Sequence, residues 1–128
     1  MNIKETAQAI HAINKDKGFW DKPRNTGELL MLINSELCEA LEADRHGNIV
    51  DKQRLEVLTE MGDTWETNPM QFKKVFQEDI KDTFQDEIAD AVIRLFDLSE
   101  GLGIDLEFHI KHKMAYNKTR ERLHGKAY

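Results

Sequence analysis

Two segments of the chain carry apolar side chains at helical spacing, and they restrict the possible folds more than any other feature. In the first segment, Leu29, Ile33 and Leu37 recur every four residues. In the second, Ile88 and Leu95 belong to a similar series. A spacing of three and four residues predicts amphipathic helices with one apolar stripe each. The sequence shows no alternating strand pattern, so it predicts an all-α fold, a bundle of about four to five helices.

Turn-forming and capping residues set the expected helix boundaries. Asn25 is placed to cap a helix, and Glu28, three residues on, completes a capping box. The predicted helices run from Ile3 to Lys17, from Asn25 to Gly47, from Asp82 to Glu100 and, with Asp105 as the N-cap, from Asp105 toward Gly125. A helical and loop insert is predicted at about 48–80, with LEVLTEM and QFKKVF as helices and GDTWETNP as the loop between them.

The size and charge of the chain limit the classes of function. Its 128 residues predict a single domain over 1–128, and a chain this short buries only about two thirds of its unfolded surface. Packing identical subunits together enlarges the core, so we expect a homodimer or a homotetramer. The formal net charge of -6 argues against a nucleic-acid polymer as the partner. Basic residues are nevertheless concentrated between Lys111 and Lys126.

The sequence gives no indication of a membrane or an oxidising compartment. No stretch approaches the ~18 apolar residues that a membrane span needs. The start, MNIKETAQAI, lacks the basic and then apolar order of a signal peptide. Cys38 is the only cysteine, which excludes an intramolecular disulfide. We therefore expect a cytoplasmic protein without a membrane partner.

Four carboxylates lie at the edges of the two apolar stripes. Glu36 falls on the packed side of its helix and Glu39 on the border, and Glu87 and Asp90 repeat this arrangement on the later helix. Acids three residues apart are common on solvated helices, but burying an unpaired carboxylate is costly. A divalent cation would offset that cost. All four residues are hard oxygen donors, which favours Mg²⁺, or alternatively Mn²⁺, as the cofactor.

Three stretches carry a resemblance to a known family: SELCEALEADRHG, DEIADAVIRLFDL and KMAYNKTRERLHGKAY. They resemble the MazG-like branch of the all-alpha nucleoside triphosphate pyrophosphatases, which also includes dimeric dUTPases and phosphoribosyl-ATP pyrophosphohydrolases. The resemblance implies that Glu36, Glu39, Glu87 and Asp90 bind Mg²⁺. It also implies hydrolysis of a (deoxy)nucleoside triphosphate to a nucleoside monophosphate and pyrophosphate, in nucleotide-pool housekeeping. The gap between Glu39 and Glu87 is longer than in compact members, and Ser35 stands where an acid precedes the first motif.

The resemblance further implies that Lys113, Asn117 and Arg120 meet the substrate phosphates. Their spacing of i, i+4 and i+7 would place them on one face of the last helix, although a solvated basic helix surface is the ordinary alternative. Trp20 could stack on a base, but a tryptophan near a helix start is more often a lid on the core. For Arg94 we favour a salt bridge that neutralises the acidic edge over contact with substrate.

The expected reaction is attack of a metal-bound water on a phosphorus of the triphosphate. Either Glu36 or Glu39 would orient or deprotonate this water. Two other interpretations stay open: a specific diphosphatase of the dUTPase or dCTPase type, and a non-enzymatic acidic helical adaptor. A di-iron carboxylate bundle is disfavoured because it needs Glu-x-x-His patterns, and no histidine follows Glu36, Glu39 or Glu87 by three positions.

Overall fold

A computed structural model describes residues 2–62 and 64–127, except for the side chains of Thr64 and His124. Over these residues the chain is helical and contains no β-strand, which confirms the all-α prediction. The helices are α1 (Ile3–Asp16), α2 (Thr26–Arg45), α3 (Lys52–Met61), α4 (Thr64–Thr67), α5 (Pro69–Asp79), α6 (Phe84–Gly101) and α7 (Leu106–Lys118), followed by a 3₁₀ turn at Arg122–Gly125. None of these helices is both long enough and apolar enough to cross a bilayer.

Side-chain caps explain where the principal helices begin. Asn25 Oδ1 accepts a hydrogen bond from the backbone N–H of Glu28 at 2.9 Å, as its sequence position predicted. Asp105 does the same for the N–H of Phe108, also at 2.9 Å. Each cap satisfies one of the amide groups that have no partner within the first turn. Because capping is local chemistry, both helix starts were predictable from sequence.

The segment GDTWETNP is not simply the loop that the sequence predicted. It contains the short helix α4, and its proline, Pro69, is the first residue of α5. Proline suits this position because its missing N–H would have had no helical partner there. Asn68 caps the same helix by accepting from the N–H of Gln71 at 3.3 Å. The loop prediction treated Pro69 as a residue that interrupts helices, whereas in the structure it begins one.

Helix α7 is shorter than expected, since it ends at Lys118 and does not continue toward Gly125. The hydroxyl of Thr119 donates to the Tyr116 carbonyl at 2.7 Å, and the N–H of Arg120 bonds to the Asn117 carbonyl three residues earlier. These bonds tighten the last turn and end the α-helix. Arg120 therefore lies beyond α7, and its predicted place on one helix face with Lys113 and Asn117 is wrong.

The chain divides into two compact units, one comprising Met1–Arg24 and Leu95–Tyr128 and the other comprising Asn25–Arg94. In the second unit, a set of hydrogen bonds closes the insert at its base. The N–H of Phe84 donates to the Asn48 carbonyl at 2.9 Å, and Asn48 Nδ2 donates to the Asp82 carbonyl at 2.7 Å. The Gln85 side chain accepts from the N–H of Val50 and donates to its carbonyl. This clasp fixes the start of α6 to the segment that follows α2.

In the first unit, the carboxylate of Asp97 gathers three polar side chains from α1 and the connector after it. His11 Nδ1 and Asn14 Nδ2 each lie 2.7 Å from it, and Trp20 Nε1 donates to it at 3.0 Å. The Trp20 ring packs directly on the backbone of α6, where a Cβ on Gly101 would lie only 2.3 Å from Cη2 of the indole. Trp20 is therefore half-buried against α6, and its role as a lid on the core stays a prediction.

Candidate metal centre

Helices α2 and α6 bring three carboxylates together within the second unit. Glu36, Glu39 and Glu87 each offer a carboxylate oxygen, and these oxygens lie within 4.8 Å of one another. Glu36 is 7% exposed and Glu87 is 4% exposed, as their positions on the apolar side of each helix predicted. Glu39 is exposed and borders solvent. The cluster therefore has a buried floor of two acids and one acid at its mouth.

The electrostatics of the cluster centre on Glu87. Burial and the neighbouring charges of Glu39 and Glu36 together raise the pKa of Glu87 to about 7. Both causes disfavour the ionised form, because the charge loses hydration and meets charges of the same sign. A cation that enters the cluster would therefore stabilise the ionised form of Glu87.

Asp90, the fourth predicted ligand, lies one turn after Glu87 on α6 and is half-buried, but it is not part of the close trio. Burial raises its pKa, as do the charges of Asp86 and Glu36, while Arg94 lowers it. Asp90 therefore shares the acidic field of the trio. Its role as a fourth metal ligand stays a prediction.

Arg94 supplies positive charge to the cluster. Its Nε donates to Glu36 Oε1 at 2.5 Å, with the Glu36 side chain 9% exposed and that of Arg94 38% exposed. Sequence reasoning expected Arg94 to neutralise the acidic edge, and the salt bridge is confirmed. The partner was not anticipated, since Glu36 lies on the other helix and Asp90 is nearer in sequence. Spacing shows that Arg94 shares a helix face with Glu87, seven residues earlier, but it does not identify a partner on another helix.

The oxygen-only donor set fits Mg²⁺ or Mn²⁺. Two oxygens on opposite sides of one Mg²⁺ lie about 4.2 Å apart, given ligand distances of about 2.1 Å. Three oxygens on one ion must also occupy neighbouring positions, about 3.0 Å apart, so oxygens that lie within 4.8 Å of one another would draw closer by side-chain rotation when an ion binds. Glu36, Glu39 and Glu87 would hold the ion, and its positive charge would stabilise the ionised form of Glu87.

The predicted phosphate-binding residues belong to the first unit, where two of them, Lys113 and Arg120, lie near the ring of Tyr116. Lys113 Nζ lies 5.2 Å from the centre of the Tyr116 ring and the Arg120 guanidinium carbon lies 5.8 Å from it, both within cation–π range. Asn117 is half-buried, and its Oδ1 has no hydrogen-bond partner among the described residues. Tyr116 was missed by sequence reasoning, although its position three residues after Lys113 was a usable signal.

Trp20 is the remaining predicted site residue. Its indole N–H donates a hydrogen bond to Asp97, and its ring packs edge-on against His11, with 4.9 Å between the ring centroids. Its stacking on a base stays a prediction. Surface grooves also occur in the first unit, along α1 and α7, with Ile3 and Glu107 in their lining. These grooves contain none of the clustered carboxylates, and the raised pKa of Glu87 makes the acidic cluster the stronger candidate for a functional site.

Comparison with family models, curated proteins and solved structures gave no match to this chain.

Proposed function

We propose that the chain is a Mg²⁺-dependent nucleoside triphosphate pyrophosphohydrolase, which converts (deoxy)nucleoside triphosphates to nucleoside monophosphates and pyrophosphate. The observation that carries the proposal is the convergence of Glu36, Glu39 and Glu87 from two helices, with two of the three buried. Arg94 compensates Glu36, but Glu87 is buried among like charges, and a cationic ligand would offset the cost of ionising it. The resemblance of the three sequence stretches supplies the reaction class.

The proposed chemistry divides the acids by exposure. Mg²⁺ would neutralise triphosphate oxygens and lower the pKa of a bound water. Glu36 is already engaged by Arg94, whereas Glu39 is exposed at the mouth of the cluster. We therefore assign the orientation and deprotonation of the attacking water to Glu39, and the anchoring of the ion to Glu36 and Glu87. Asp90 completes the acidic field.

We assign phosphate binding to Lys113, Asn117 and Arg120. Lysine and arginine are suited to phosphate oxygens by charge, and arginine also by its planar fork of donors. Lys113 and Arg120 both lie within cation–π range of the Tyr116 ring, which brings the two charges to one part of the surface. The resemblance, and not their spacing, is the main support for this assignment, because Arg120 lies beyond the end of α7.

The test is turnover of a nucleotide panel. Purified protein is incubated with Mg²⁺ and canonical, deoxy and modified triphosphates, and pyrophosphate is measured separately from orthophosphate. We expect pyrophosphate release from at least one triphosphate, with dUTP or dCTP alone pointing to a specific diphosphatase. Glu87→Gln should abolish it, while Glu42→Gln, which changes an exposed acid on α2, should keep it. Orthophosphate alone, or full activity of Glu87→Gln, would reject the proposal.

We also propose that the protein forms a homodimer or a homotetramer through α2. Three leucines at helical spacing on this helix, Leu30, Leu37 and Leu41, are each about half exposed, at 50%, 48% and 48%. Apolar side chains grouped on one helix face favour a partner surface. The adaptor interpretation would use the same face for a different protein, so self-association distinguishes the two. With Cys38 free and exposed, we propose a cytoplasmic location.

A further inference from the structure

We propose that Arg94 is a counter-cation built into the acidic cluster, which holds Glu36 in the metal-free protein and competes with a divalent cation for it. The inference rests on the proposed metal site and adds a means of regulating it. Its basis is the bond between Arg94 Nε and Glu36 Oε1, which joins residues 58 positions apart in the chain. Glu36 is buried, so this bond is screened much less than one between surface residues.

The choice of partner indicates more than a surface ion pair. Arg94 has two acids on its own helix face, since Asp90 precedes it by four residues and Glu87 by seven. Its Nε–H is nevertheless donated across to Glu36 on α2. The guanidinium therefore occupies an oxygen of one of the three carboxylates that would bind the ion. A divalent cation that bound Glu36 would therefore share this carboxylate with Arg94.

Electrostatics sets the direction of the effect. An arginine within a few ångströms of a bound divalent cation repels it, and the repulsion is substantial at the effective dielectric of a partly buried site. Removing the charge while keeping the volume should therefore strengthen metal binding. After allowance for solvent around the partly exposed Arg94 side chain, we expect an increase of at least about tenfold in affinity.

The position of Arg94 also allows its bond to Glu36 to be broken. Its side chain is 38% exposed, and a guanidinium carries five N–H donors, of which the Nε–H is the one donated to Glu36. A phosphate group is a strong competitor for arginine because it accepts two parallel hydrogen bonds. A polyphosphate substrate would draw Arg94 from Glu36 and free that carboxylate for the ion. Metal and substrate would then strengthen each other's binding, as linkage requires.

The test measures Mn²⁺ binding by titration calorimetry, with Mn²⁺ alone as the probe and no nucleotide present. We expect Arg94→Gln to bind Mn²⁺ at least about tenfold more tightly than the unaltered protein. Arg94→Lys, which retains the charge, should stay within about threefold. The matched control is Arg45→Gln, which removes an arginine paired with the exposed Glu42 on α2 and should leave the affinity unchanged.

The outcomes separate this inference from the function on which it rests. If the unaltered protein binds Mn²⁺ and Arg94→Gln binds it equally or more weakly, the counter-cation role is wrong and the metal site stands. If the unaltered protein binds no Mn²⁺, both are wrong. Far-UV circular dichroism checks the fold of each variant, and Arg94→Met, which keeps the aliphatic stem, replaces Arg94→Gln should that variant not fold. A second readout is thermal: Arg94→Gln should melt lower than the unaltered protein without Mn²⁺ and recover the difference at saturating Mn²⁺.

Discussion

Replacing Glu87 by glutamine should stabilise the metal-free protein at neutral and higher pH. The folded pKa of Glu87 is raised to about 7 by burial and by the charges of Glu39 and Glu36, from an ordinary value of 4.5. Between these two pH values the unfolded chain loses the proton and the folded chain keeps it. The contribution of Glu87 to stability therefore falls as pH rises through this window, and above about pH 7 the penalty is constant.

The size of the effect follows from the same two values. The interval from 4.5 to about 7, at about 1.36 kcal/mol per pH unit, gives an upper limit of about 3 kcal/mol. Solvent at the mouth of the cluster, where Glu39 is exposed, screens part of the repulsion, so we expect about 1–2 kcal/mol. Glutamine has nearly the shape of a protonated glutamate and does not titrate. The variant and the unaltered protein should therefore be equally stable near pH 4.5 and diverge as pH rises.

The assay is urea unfolding followed by far-UV circular dichroism, from pH 4.5 to pH 8, with a chelator present. Comparing the variant with the unaltered protein at each pH cancels the titration of the other acids. Glu42→Gln, an exposed change beside Arg45, should show no pH-dependent difference. Addition of Mg²⁺ should stabilise the unaltered protein and have much less effect on Glu87→Gln. If Glu87→Gln is no more stable than the unaltered protein at pH 8, ionisation of Glu87 does not destabilise the folded protein as its raised pKa implies.

Three further predictions concern other parts of the chain. Asp97→Asn should lower the free energy of unfolding by about 1.5–3 kcal/mol, because the charge that receives the His11 and Trp20 hydrogen bonds is lost; a change below about 0.5 kcal/mol in urea unfolding would contradict this. Leu41→Asp should shift the sedimentation coefficient toward that of a monomer, and an unaltered coefficient would remove α2 from the interface. Lys113→Ala should lower kcat/KM for the triphosphate about tenfold or more, with the loss decreasing at high salt; unchanged steady-state kinetics would return Lys113 to the role of a solvated side chain.

The features that sequence reasoning predicted well are set within a few residues of the chain. The start of α2 depends on Asn25 and an amide three positions later, and the burial of Glu36 and Glu87 depends on helical periodicity alone. The errors have equally local causes. Thr119 ends α7 through a hydroxyl bond to a nearby carbonyl, and such a residue is compatible with either the continuation or the end of a helix until the structure is known.

Other features could not be predicted because they join distant parts of the chain. Asp97 was not among the residues predicted to be important, and its partners lie 77 to 86 positions away in the chain. The pairing of Arg94 with Glu36 is of the same kind. Periodicity states which face of a helix a residue occupies, but it contains no information on which residue of another helix will lie opposite. The charge balance of the acidic cluster therefore emerged only from the structure.

The length of the insert between α2 and α6 does not determine how far apart the two acidic motifs lie. Asn48 bonds to both Asp82 and Phe84, and Val50 makes two hydrogen bonds with the Gln85 side chain, so the insert leaves and rejoins the chain at one place. Closing a longer loop costs only slightly more entropy once its ends are held together. The clasp thus makes the spacing of Glu87 from α2 depend on a few bonds at the base and not on the residues between them. A long gap between the two acidic motifs is therefore no obstacle to a common metal site.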